Sequence, residues 1–142
     1  MWGITYQIVE SDTFHLDHNQ RLLYCSDSVD HKKALSHYEV ELLLQELESL
    51  IAKYYDNGLI NISGVHYTIK PMKTRYGSCH KLKRRISINQ RLIHVEQQYL
   101  EYVFLHEITH LIHGHHQAEF YQLFEQLCPH YKSLKKSLQQ VW

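Results

Sequence analysis

Apolar residues recur at three- and four-residue steps through Leu35, Tyr38, Leu42, Leu43, Leu47, Leu50, Ile51 and Tyr54, which is the spacing of one helix face. They predict a helix over 31–55, with Asp30 at the N-cap position and Asp56-Asn57-Gly58 as a left-handed stop. Ahead of it, 4–9 is β-prone and the polar segment 11–19 reads as a loop, with a possible hairpin partner at 22–25. Behind it, Val65, Tyr67 and Ile69 alternate with polar residues up to Pro71, and Ile86 and Ile88 alternate again. This predicts two strands around the basic turn Lys81-Leu82-Lys83-Arg84-Arg85.

From about Val95, the residues Tyr99, Tyr102, Val103, Leu105, Ile108, Leu111 and Ile112 mark a second long helix, expected to stop near Gly114. A third helix is expected over 118–127, closed by Pro129, with a short Lys-rich helix after it. Together these elements predict an α+β fold: a small antiparallel or mixed sheet packed on helices. There is no internal repeat or Gly/Ser linker, and 142 residues suffice for one core, so 1–142 reads as a single domain.

Composition narrows the function classes. Lysine plus arginine and aspartate plus glutamate number 15 each, so no global field draws the chain to nucleic acid or to an anionic membrane. No window approaches the roughly 18 apolar residues of a spanning helix, and no export leader is expected at the N-terminus. Cys25, Cys79 and Cys128 lie far apart with no C-x-x-C pair, which fits reduced thiols and a cytoplasmic home. Histidine is the anomaly: of 13 in the chain, five lie between His106 and His116.

Those histidines include His106-Glu107-Ile108-Thr109-His110, the H-E-x-x-H pattern of zinc hydrolases. Residues four apart share a helix face with about 6 Å of rise between them, so two imidazoles can converge on one ion. Glu107 is then placed to reach a zinc-bound water as general base rather than to ligate. A catalytic zinc takes three protein ligands. His113 lies about 10.5 Å further along the axis than His106, too far to share the ion. Gly114 permits the chain to turn, after which His116 is the favoured third ligand, with His115 and Glu119 as alternatives. Zinc is the expected ion, although imidazoles also accept nickel, cobalt or iron.

The stretch 72–79 (Met-Lys-Thr-Arg-Tyr-Gly-Ser-Cys), then 85–89 (Arg-Ile-Ser-Ile-Asn), then 102–111, then His115-His116-Gln117 with Phe120-Tyr121, resembles the YgjP-like metal-dependent hydrolases. That family is grouped with zincin-type metallopeptidases and is similar in its core to the WLM and SprT-like proteases. The resemblance, strongest over 65–132, implies a zincin-like core around the H-E-x-x-H helix and gives His116 the place of the family's third ligand. Tyr76 and Tyr121 stand where the family usually has Trp.

The function expected is therefore zinc-dependent hydrolysis of a peptide or protein. Arg75, Tyr76, Gly77, Ser78 and Asn89 are the candidate substrate-binding residues, and Gly77 would allow close backbone approach along a strand beside the metal. An alternative is a nucleoside triphosphate pyrophosphatase, in which Arg75, Arg84, Arg85 or Arg91 would neutralise phosphate, as some relatives suggest. A second alternative is a non-catalytic zinc or nucleic-acid-associated module, against which the balanced charge and the lack of a second domain argue. The basic turn itself reads first as a solvated hairpin, Lys132, Lys135 and Lys136 as the wet face of the last helix, and Phe120, Tyr121 and Phe124 as core before pocket. Cys79 is not favoured as a nucleophile.

Overall fold

The computed structural model describes residues 7–10, 15–17, 22–25, 31–114 and 117–142. In chain order come β1 (Gln7–Glu10), β2 (His15–Asp17), β3 (Leu22–Cys25), α1 (His31–Tyr54), β4 (His66–Lys70), β5 (Gly77–His80) and β6 (Arg85–Asn89). A 3₁₀ turn, Gln90–His94, leads to α2 (Gln97–Ile112), α3 (Ala118–Leu127) and α4 (Tyr131–Val141). The α+β class expected from the pattern is the class observed.

At the centre is α2, buried on nearly every side through Tyr99, Leu100, the run from Tyr102 to Leu105, Ile108 and Leu111. A helix apolar all round has to be enclosed, and here the sheet, α1, α3 and α4 all pack on it. The face of α1 carrying Leu43, Leu47, Leu50 and Tyr54 joins the same core. Only two polar side chains of α2 are buried, Glu107 and Thr109. The Thr109 hydroxyl donates to the Leu105 carbonyl at 2.7 Å, which leaves Glu107 as the residue whose burial needs a reason.

The sheet facing α2 has the order β4-β6-β5, with β4 parallel and β5 antiparallel to β6. The basic turn leads into β6 as expected, but the strand it joins to β6 is β5 and not the 65–69 segment, which as β4 lies parallel to β6 on its other side. As the central strand, β6 buries both faces, Ile86 and Ile88 on one and Ser87 and Asn89 on the other. Arg84 takes a left-handed conformation, φ 48°, and its guanidinium donates to the carbonyls of Asn61 and Ser63 at 3.0 and 2.9 Å. The turn is therefore anchored to the loop after α1 by one of its own cations.

A separate sheet has the order β1-β3-β2. The expected hairpin of the first strand with 22–25 is corrected here: β1 pairs with β3 in parallel, and the antiparallel partner of β3 is β2. The three residues His15–Asp17 lie inside the segment read as loop, and they are too short and polar to signal a strand. The left-handed stop at Gly58 is also corrected, since Gly64 is the only described glycine with positive φ. Instead the Asn57 amide donates to the Tyr54 carbonyl at 3.1 Å and the Asn57 side chain accepts from the Leu59 amide at 2.8 Å. That side-chain turn ends the helix without a glycine conformation. Asp30 and residues 4–6 lie outside the described residues.

Candidate active site

His106 and His110 stand one helical turn apart on α2, with ring centroids 4.7 Å apart and the planes at 80°. Together with Glu107 they offer ligand atoms that all lie within 4.8 Å of one another. Helical period accounts for the pairing, and α3 fixes the rings. Phe120 lies 5.4 Å from His106 and 4.7 Å from His110, and Phe124 lies 5.5 Å from His106, centroid to centroid. Tyr102, one turn before His106, adds a contact at 6.3 Å. The aromatic stripe read first as core is both core and backing for the imidazoles.

Glu107 is only 5% exposed, and one of its carboxylate oxygens, Oε2, lies 3.2 Å from His106 Nδ1. A proton on Nδ1 shared with that carboxylate leaves Nε2 bare, the form a metal-ligating nitrogen needs. The donor set suits a borderline-soft divalent ion: two imidazoles, with a carboxylate close by and a cleft in front of them.

The cleft, about 400 Å³, is lined by His106, Glu107, His110 and Gly114 on one side and by Arg75, Gly77, Ser78, Cys79 and Lys81 on the other. A second opening of about 280 Å³ shares Arg75, Gly77, His106 and Glu107 with it and adds Thr74, Tyr76, Tyr102, Val103 and Lys135. The imidazole–carboxylate pair therefore stands where the two openings meet, and β5 forms the wall beside it.

Gly77 makes that wall possible. A Cβ there would stand 2.9 Å from the Ser87 carbonyl oxygen, 3.0 Å from Val103 Cγ1 and 3.3 Å from Glu107 Cγ. Gly77→Ala is accordingly expected to lower unfolding free energy by ~1–3 kcal/mol, the usual range for overpacking, read as a reduced midpoint in denaturant. An unchanged midpoint would mean that β5 lies further from α2 than described.

Of the expected substrate-binding residues, Arg75, Gly77 and Ser78 line the first opening and Tyr76 the second. Tyr76 is also held edge-on to Trp142, centroids 4.9 Å apart. Asn89 is corrected. It is 1% exposed and works as a bracket behind the wall, donating to the carbonyls of Met72 and Arg75 at 3.0 and 2.8 Å and accepting from the Arg91 amide at 3.1 Å. Its own amide donates to the Tyr76 carbonyl at 2.9 Å, so it positions the 72–76 loop without facing the cleft.

His113 caps α2 in an extended conformation and takes no part in the cluster. Glu119 is exposed in the first turn of α3. His115 and His116 lie outside the described residues.

The Cys79 thiol lines the cleft, and burial, followed by the charge of Glu107, pushes its pKa up to about 11. At neutral pH it stays protonated, the opposite of a nucleophilic thiol. Alkylation of Cys79 by iodoacetamide in the native protein at pH 7.5 is expected to run ~100-fold slower than for an ordinary thiol, one factor of ten per pKa unit. Rapid alkylation at that pH would contradict the assignment.

The family model described as YgjP-like, metallopeptidase domain, matches residues 2–141. Among solved structures, the metallopeptidase zymogen of Pyrococcus abyssi abylysin is similar at TM-score 0.52 and 20% identity, covering 71% of this chain and 92% of that one. The metallopeptidase zymogen of Methanocaldococcus jannaschii jannalysin is similar at TM-score 0.55 and 16% identity, covering 69% and 88%. At these identities the two structures speak for the fold. No curated protein sequence matches.

Proposed function

Since the chain belongs to the YgjP-like metallopeptidase domain family, and so is a metal-dependent hydrolase, we propose that it is a zinc peptidase with Glu107 as general base. His106, His110 and His116 are its ligands in this reading. The observation that carries it is the convergence of His106, Glu107 and His110 within 4.8 Å beside a cleft walled by β5. His116 is supported by position, being two residues beyond Gly114, which lines that cleft.

When bound, the ion supplies a Lewis acid that brings the pKa of a water toward about 7 and polarises a carbonyl oxygen. The chain's own residues do the rest. The Glu107 carboxylate accepts a proton from the attacking water and delivers it to the leaving amine nitrogen as the C–O bond forms and the C–N bond breaks. Gly77 lets the wall close over Glu107, which shields that transfer from bulk water. Because β5 is at the edge of its sheet, its outer main-chain groups are available to an extended peptide running from one opening to the other.

The triphosphate reading is less well supported, because two of its arginines are engaged elsewhere. Arg84 binds the Asn61 and Ser63 carbonyls, and Arg91 donates to the Trp142 carbonyl and lies 4.5 Å over its ring. No helix of the described residues is long and apolar enough to cross a membrane, and Cys79 and Cys128 are unpaired thiols, which supports a cytoplasmic setting.

Hydrolysis of a mixed quenched-fluorescent peptide library by zinc-loaded protein, lost on addition of 1,10-phenanthroline and restored by zinc, is the expected outcome. Turnover of nucleoside triphosphates with no cleavage of any peptide would replace this reading by the other.

A further inference from the structure

Resting on the peptidase reading, we infer that the preferred substrate carries acidic side chains on both sides of the bond that is cut, read by Arg75, Lys81 and Lys135. The chain as a whole is neutral, yet its two openings are not. Lys81 lines the first and Lys135 the second, with Arg75 in both. Glu107 is the one carboxylate in either lining, and it is committed to proton transfer.

These three cations also differ from several others in the fold. Lys53 pairs with Glu101 at 3.1 Å, Arg84 binds two carbonyls, and Arg91 holds Trp142. Among the described residues the side chains of Arg75, Lys81 and Lys135 have neither an ion pair nor a hydrogen bond. All three side chains are exposed, and positive charges at the mouths of two openings with no internal partner raise the local concentration of anionic ligands and repel cationic ones.

Their placement selects among anions. Lys81 and Lys135 lie in different openings, on the β5–β6 turn and on α4, with His106 and Glu107 between them. The Lys81 stem runs beside the turn after α2, its Cδ 3.9 Å from where a Cβ on Gly114 would be. A triphosphate needs cations that converge on one point. Cations set on either side of the His106–Glu107 pair, in two openings that share it, suit charges spaced along an extended chain, which advances about 3.3 Å per residue.

The test uses the full chain as Glu107→Gln, so that binding is read without turnover, and fluorescein-labelled octapeptides of alanine alternating with Glu, Gln or Lys. The Glu peptide is expected to bind ~10-fold or more tightly than the Gln peptide at 50 mM NaCl. The advantage should shrink toward unity at 300 mM as the charges are screened. Lys81→Glu and Lys135→Glu should each reduce the Glu/Gln ratio ~3–10-fold, and Arg75→Glu should remove it. Lys136→Glu, exposed like Lys135 and next to it on the same helix but outside both linings, should leave it unchanged.

Equal Kd values for the Glu and Gln peptides would overturn the inference. So would an effect of Lys136→Glu as large as that of Lys135→Glu, or displacement of the Glu peptide by a nucleoside triphosphate or single-stranded oligonucleotide at far lower concentration than unlabelled peptide. Turnover of the three peptides by the wild-type protein separates the two readings. Cleavage indifferent to charge removes this inference and keeps the peptidase, whereas acid-selective binding with no cleavage removes the peptidase.

Discussion

Glu107→Gln is expected to lower kcat/KM for peptide cleavage by ~10²–10⁴-fold, the usual contribution of a positioned general base, while the metal stays bound. Glutamine keeps the size of the side chain, so the packing of Gly77 against the Glu107 Cγ survives, but its amide cannot take a proton from water at neutral pH. Because Glu107 is 5% exposed and flanked by β5, solvent cannot easily substitute for the missing base. The measurement is steady-state kinetics on a peptide the wild type cleaves, with metal content determined on the same preparation. Loss of metal together with activity would instead make Glu107 a ligand. Wild-type rates would mean the proton goes to another group.

His106→Ala and His110→Ala are expected to abolish both metal binding and hydrolysis. Each removes one of two imidazoles whose rings are set 4.7 Å apart, and one remaining histidine of the pair cannot hold the ion against water. The consequence for stability separates this from a simple packing defect. A ligand that binds only the folded state at 100 times its Kd contributes about 2.7 kcal/mol, so adding chelator should lower the Tm of the wild type. It should leave the Tm of either variant where it was. Both variants are also expected to start lower, because each ring packs on Phe120. His110→Gln, which restores much of the volume, should recover part of the Tm but none of the metal. A chelator-sensitive Tm in either alanine variant would contradict the assignment of that histidine.

The parts of the fold legible in the sequence are those with long, strong periodicity. The face of α1 from Leu43 to Tyr54, the apolar run of α2, and α3 with its Pro129 stop fall where the pattern places them. What escaped is set by partners far apart in sequence. No local feature of 66–70 tells that β4 runs parallel to β6, and β2 is three residues within a polar stretch. Asn89 lies in a stretch that resembles the family's motifs, but its hydrogen bonds to Met72 and Arg75 depend on the crossing of two chain segments.

The site divides in the same way. The histidine pair and Glu107 are readable because one helix carries all three. The ring supports Phe120 and Phe124 were visible only as a helical stripe, and their orientation toward His106 depends on how α3 docks. Lys135 belongs to a lysine set that looks like a solvated face. Only the packing of α4 on α2 brings it to the second opening.

The most direct test of the central claim is metal content of the purified protein by mass spectrometry after incubation with zinc and desalting. One zinc ion per chain in the wild type, and none in His106→Ala, His110→Ala or His116→Ala, is the predicted result. A wild-type protein that retains no metal after zinc has been supplied would contradict it.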